Sequence, residues 1–253
     1  NNSINLNGVL QGTGQLDNQS GGTVSLTSQT NLQFSKVIQN RVGGVFTING
    51  ATAATALIFA ADFVNAGILN LTDTVMDGFG LDVQFTSGNT LLNGSGGVIN
   101  VMGTLESRTI SGDFTNQGIF NLSRNTTLFN DGFNFDSQSG VIDIQTGSQL
   151  TLDAQAGTGN TSLGTGTTIT GDGTISFVGN QIITLNSDFT FTNSGLTFDF
   201  NSGAVTVNGP GKFVNQGTIE FQGNDDVFNT QYVNDVGGTT SLGGSTSSLL
   251  NQP

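Results

Sequence analysis

Residues 114–122 read FTNQGIFNL, and the phrase returns as FVNAGILNL at 63–71 and as FVNQGTIEF at 213–221. Each copy is an apolar residue, an Asn, a short turn closed by Gly, and then alternating apolar positions. Four copies carry two more turn residues: LDNQSGGTVSL at 16–26, IQNRVGGVFTI at 38–48, LLNGSGGVINV at 91–101 and YVNDVGGTTSL at 232–242. ITGDGTISF at 169–177 and DSQSGVIDI at 136–144 fit more loosely. The closing glycines are Gly22, Gly44, Gly67, Gly97, Gly118, Gly140, Gly173, Gly217 and Gly238, at intervals of 22, 23, 30, 21, 22, 33, 44 and 21 residues. The interval of 44 is two units with a degraded copy near Gly195. A unit of about 22 residues is in the range of solenoid repeats.

The columns of the repeat assign its faces. Two residues after the glycine stand Val24, Phe46, Leu69, Ile99, Phe120, Ile142, Ile175, Ile219 and Thr240; four after it stand Leu26, Ile48, Leu71, Val101, Leu122, Ile144, Phe177, Phe221 and Leu242. Between them lie polar residues such as Ser25, Asn70, Asn121 and Glu220. Period-two alternation is a strand with one face buried. The 38 glycines would heavily penalise a helix. A strand recurring in one direction at a fixed spacing builds a parallel sheet, so the expected fold is all-β: a parallel β-helix of about ten coils stacked ~4.8 Å apart. It is read as one domain over 1–253, with insertions of roughly 8 and 11 residues around 72–88 and 153–168 and a flexible or exchanged tail at 243–253.

Turn chemistry agrees with this reading. Gly tolerates positive φ, and Asn accepts the left-handed region. Asn65, Asn116 and Asn215 lie two before the glycine, and Asn18, Asn40, Asn93 and Asn234 four before it. They serve as turn formers, and stacking could also align them into an amide ladder. The phrases DFTNQGIFNLSRNTTL from Asp113 and KFVNQGTIEFQGN from Lys212 resemble the passenger regions of bacterial autotransporters and filamentous-haemagglutinin-type exoproteins, and the likeness runs from about Leu16 to Leu242. It implies a right-handed β-helix at a bacterial surface or outside the cell. It assigns no functional residue.

Composition narrows the partners. Eighteen acidic and five scattered basic residues give a net charge of −13, so no basic patch exists to neutralise phosphates. No apolar run reaches the roughly 20 residues of a membrane span. Low Lys, absent Cys and abundant Asn, Thr, Ser and Gly suit a secreted protein. The start at Asn1 reads as a mature or fragmentary form.

Chemistry is sparse. There is no His, no Trp and a single Tyr. No catalytic residue or cofactor site is expected. Asp73, Asp77 and Asp82, and the pair Asp225 and Asp226, are oxygen donors of the kind calcium takes, with solvated acidic loops as the plainer reading. The residue after the turn glycine should face outward, yet it is apolar at Val45, Ile68, Val98, Ile119 and Val141. An outward apolar ribbon marks an interaction surface, here a lateral contact between copies. End-to-end stacking is the other expected homo-oligomeric contact, with Ile4 and Leu6 or Leu249 and Leu250 as inserted residues. The expected function is a structural or adhesive extracellular module; the alternative is a β-helix that binds or degrades polysaccharide, with surface carbohydrate as partner.

Overall fold

Phe46 and Ile48 are buried while Val45, Thr47 and Asn49 point outward, as the pleat of a strand requires. The computed structural model describes residues 3–6, 9–27, 31–34, 36–50, 56–73, 80–103, 107–192, 195–223, 225–243 and 249–251, with the side chains of 6, 9, 10, 31–33, 155, 156 and 249–251 left aside. Among the described residues there is no helix, and every pairing between strands is parallel apart from an isolated bridge of Asp131 to Gly159. The repeats are parallel β-solenoid turns, about nine in all and about 23 residues apart. The chain divides into two compact units, Asn1–Thr127 and Leu128–Pro253.

In the first unit each full coil contributes three short strands, for example Val45–Asn49, Leu57–Phe59 and Phe63–Asn65. The first column stacks Val24, Phe46, Leu69, Ile99 and Phe120 in one register. Register survives the 30-residue step from Leu69 to Ile99 unchanged. Within the interval 72–88 lies the ordinary second strand of this coil, Leu81–Phe85, whose Val83 stacks on Leu57 and Ile110; residues 74–79, including Asp77, lie outside the described residues. Phe59 and Phe85 stack 4.9 Å apart in the core. Each such ring contributes about 1.5–3 kcal/mol on burial.

The second unit is richer in phenylalanine. Phe200 stacks on Phe221 at 4.8 Å, Phe177, Phe198 and Phe228 pack against Phe200, and Phe213 packs against Phe198. Its main column is Leu150, Ile175, Phe198, Ile219 and Thr240. This corrects the phase of the repeat. The glycine-based columns put Ile142 and Ile175 together, but Ile142 pairs with Ile169 and Ile175 with Leu150. An apolar residue two places after a turn glycine is a local signal, and it does not say which strand of the coil follows. The extra residues around 153–168 are taken up in a long strand, Gln149–Leu163, with a register shift between Ala154 and Thr158. Leu242 was expected inward and is 58% exposed. Its strand Thr239–Leu242 has a partner on one side only among the described residues.

Crowding requires glycine at seven of the nine closing positions, Gly140 and Gly217 apart. At Gly118 a Cβ would sit 2.2 Å from the Gly97 carbonyl oxygen of the coil before it. Positive φ belongs instead to the preceding glycine in three of the four longer turns, Gly21, Gly43 and Gly237, as at Gly43 with φ 78°. In those turns the left-handed residue lies one place before the closing glycine.

Candidate functional site

The turn asparagines of the first unit point inward and form a continuous ladder. Asn18, Asn40, Asn65, Asn93 and Asn116 are buried, and each of the first four donates Nδ2 to the next Oδ1 at 2.8 Å. The second Nδ2 proton of each goes to a backbone carbonyl of the following coil, that of Val45, Ile68, Val98 or Ile119, at 2.9–3.1 Å. Both amide protons are therefore satisfied away from water, which removes the penalty of burying them. The second unit repeats one such rung, Asn215 to Asn234 at 2.8 Å with the Thr239 carbonyl as second acceptor.

A second ladder runs on the outer face of another first-unit sheet, on the strands Ile68–Asp73, Val98–Gly103 and Ile119–Leu122 that follow those turns. Asn121 donates to Asn100 and Asn100 to Asn70, each at 3.0 Å, so this ladder donates backward along the chain while the inner one donates forward. Beside it stand Val45, Ile68, Val98 and Ile119 in register, with Ile68 and Ile119 each 39% exposed. Met102 is exposed on the same face. Val141 belongs to the second unit, where it is half-buried opposite Thr168.

The carboxylates are spread rather than gathered: among the described residues no group of three or more acidic side chains could hold a metal ion. Asp73 ends the strand Ile68–Asp73 and is buried opposite Gly103. Asp82 is half-buried and accepts from Gln84 at 2.8 Å; burial raises its pKa. Asp225 is exposed and holds φ at 61°. Asp226 is buried, accepts the Val205 backbone N–H at 3.0 Å, and is pushed up to about 6, chiefly by burial and then by Asp225 and Asp199.

Two features escaped the sequence reading. Arg108 is wholly buried and donates Nη2 to the Met102 carbonyl at 2.9 Å. Its isolation among acids and polar residues gave no hint of this. The other is a pairing along the strand: Gln84 donates to Asp82, Gln138 to Asp136, Gln145 to Asp143, Asn201 to Asp199 and Gln222 to Glu220, always from two residues on. The acid–x–amide spacing is visible in the sequence. Alternation puts both side chains on one face, so amides serve these carboxylates where cations are scarce.

At the amino end Ile4 lies in the column of Val24 and is 45% exposed. Ile4, Leu16, Asn18, Gly22 and Val24 line a cavity of about 490 Å³. Leu6 pairs with Leu26 through its backbone. The strand Leu249–Asn251 pairs with Asp226–Phe228 of the same chain, while the side chains of Leu6, Leu249 and Leu250 lie outside what is described. No helix among the described residues is long and apolar enough to cross a membrane. No protein-family model matches the chain, and neither the curated proteins nor the solved structures hold a match to it.

Proposed function

We propose that the chain is a structural or adhesive module of a bacterial cell surface or extracellular matrix, akin to the passenger regions of autotransporters and haemagglutinin-type exoproteins. The observation that carries this reading is the buried ladder from Asn18 to Asn116. A coil held to its neighbour by strand bonds, apolar columns and a chain of buried amides is suited to resisting deformation. The aromatic rings lie mostly in the core, so there is little platform on which a sugar ring could stack, and the carboxylates serve amides along their own strands. The module therefore acts as a spacer, scaffold or filament subunit, with homo-oligomeric contacts as its way of building larger structures.

The test has two arms. Antibodies raised against the folded chain should label intact producing cells or their matrix without permeabilisation. The purified chain should release no reducing ends from cell-wall or exopolymer polysaccharides, with or without added calcium. Labelling confined to permeabilised cells overturns the location, and saccharide release favours the polysaccharide-degrading alternative.

A further inference from the structure

We propose that the outer face of the first sheet of the first unit is a self-association surface that receives the same face of a second copy. The inference deepens the scaffold reading and rests on it. The sheet comprises Ser3–Leu6, Thr23–Thr27, Val45–Asn49, Ile68–Asp73, Val98–Gly103 and Ile119–Leu122, stacked in parallel. Its outward positions are apolar, hydroxyl or amide side chains, and none is charged. That neutrality is selective in a chain with a net charge of −13. Outward strand positions of the second unit, by contrast, carry the half-exposed Asp143 and Glu220.

Charge decides the occupant. Two copies of this chain repel one another over most of their surfaces, and a contact through a charge-free face adds no like-charge pair at close range. The apolar ribbon Val45, Ile68, Val98 and Ile119 is the part that gains from leaving water. The amides beside it are already joined, Asn121 to Asn100 and Asn100 to Asn70, and so are poorly placed to capture sugar hydroxyls. Six strands at ~4.8 Å spacing and about 15 Å of strand length give roughly 430 Å² a side. That is about half of the ~800 Å² per partner in a stable complex, so the contact is weak and reversible in solution. Copies held side by side on a surface would gain from high local concentration. A two-fold arrangement, each ribbon on the other, lets both partners use the same residues.

Sedimentation of the full chain from about 10 μM to about 1 mM, at roughly 20 mM and 500 mM salt, reads the contact, because screening lengths fall from about 20 Å to a few Å across that range. The weight-average mass should rise with concentration, and more steeply at high salt, where repulsion between the acidic copies is screened. Ile68→Asp with Ile119→Asp should weaken association at least tenfold. Ser87→Asp with Thr115→Asp adds the same charge away from this face and should leave most of the association intact. Circular dichroism and unfolding midpoints establish that each variant is folded. A monomer at every concentration and salt overturns the proposal, as does equal weakening by the two pairs. Retardation of a monomeric chain by a neutral glucan, lost in the Ile68/Ile119 variant, would assign the face to polysaccharide and also overturn it. A chain that associates as expected yet releases reducing ends would instead refute the scaffold reading alone.

Discussion

Asn65 donates one Nδ2 proton to Asn93 Oδ1 at 2.8 Å and the other to the Val98 carbonyl at 3.1 Å, while its own Oδ1 accepts from Asn40 at 2.8 Å. Three bonds thus converge on one fully buried side chain. Replacing it by Asp keeps the shape and turns both donations into contacts between acceptors. Asn65→Asp should lose about 3–5 kcal/mol, the scale of leaving a buried charge uncompensated. Asn65→Leu orphans three ladder groups, the Asn40 amide proton, Asn93 Oδ1 and the Val98 carbonyl, at roughly 1–3 kcal/mol each, and should lose at least as much. Urea unfolding midpoints check both losses. A loss below about 1 kcal/mol in both variants would mean that packing, not hydrogen bonding, holds the column.

Gly118 offers a test of coil-to-coil contact without any change of polarity. Its missing Cβ would lie 2.2 Å from the Gly97 carbonyl oxygen and 2.5 Å from that of Gly94. Both are backbone atoms of the preceding coil and have no rotamer by which to escape. Gly118→Ala should destabilise by about 1–3 kcal/mol, the usual scale of overpacking. Gly132→Ala meets no atom within 4 Å but sits at φ 73°, so its smaller loss would report backbone strain alone. Thermal melts of both variants separate the two causes.

Asp226 sets a pH dependence. Its folded pKa, about 6, lies above the ordinary carboxyl value of 3.8 because burial disfavours the charged form. A raised carboxyl pKa means the folded state binds the extra proton. Its stabilising contribution is complete below the unfolded pKa and is lost as pH rises through the folded one. Burial likewise raises Asp82 and Asp199, so they act in the same direction. Asp17 and Asp235 are lowered by their hydrogen bonds to Arg41 and Gln216, but both are at the surface and screened. The unfolding temperature should therefore be higher near pH 5 than near pH 7.5, with most of the change at about pH 4–6. Asp226→Asn should reduce that slope and raise stability at neutral pH. An unaltered slope would remove Asp226 as its source.

The columns of Phe46, Ile48, Phe120 and Leu122 were legible because a pleated strand with one wet face writes a two-residue period into the sequence. The ladder was half legible: the spacing of Asn65, Asn93 and Asn116 exposed the column, while its inward direction depends on how the turn corner is folded. The pairing of Ile142 with Ile169 was hidden, because a bulged strand between them shifts the phase without altering any local phrase. Burial of Arg108 and Asp73 was hidden for another reason. A charged residue is read as solvated unless a partner is visible, and here the surroundings are assembled from different coils.

The unbroken register between Leu69 and Ile99 has a consequence for how such a chain can change. The 30 residues separating this pair do the same stacking work as the 21 separating Ile99 from Phe120. Interval length is thus uncoupled from alignment, and a segment can be spliced in between two strands without renumbering any column. The interval between the strands Ile68–Asp73 and Leu81–Phe85 can accordingly differ in length from its counterparts while the columns of amides and rings keep their places.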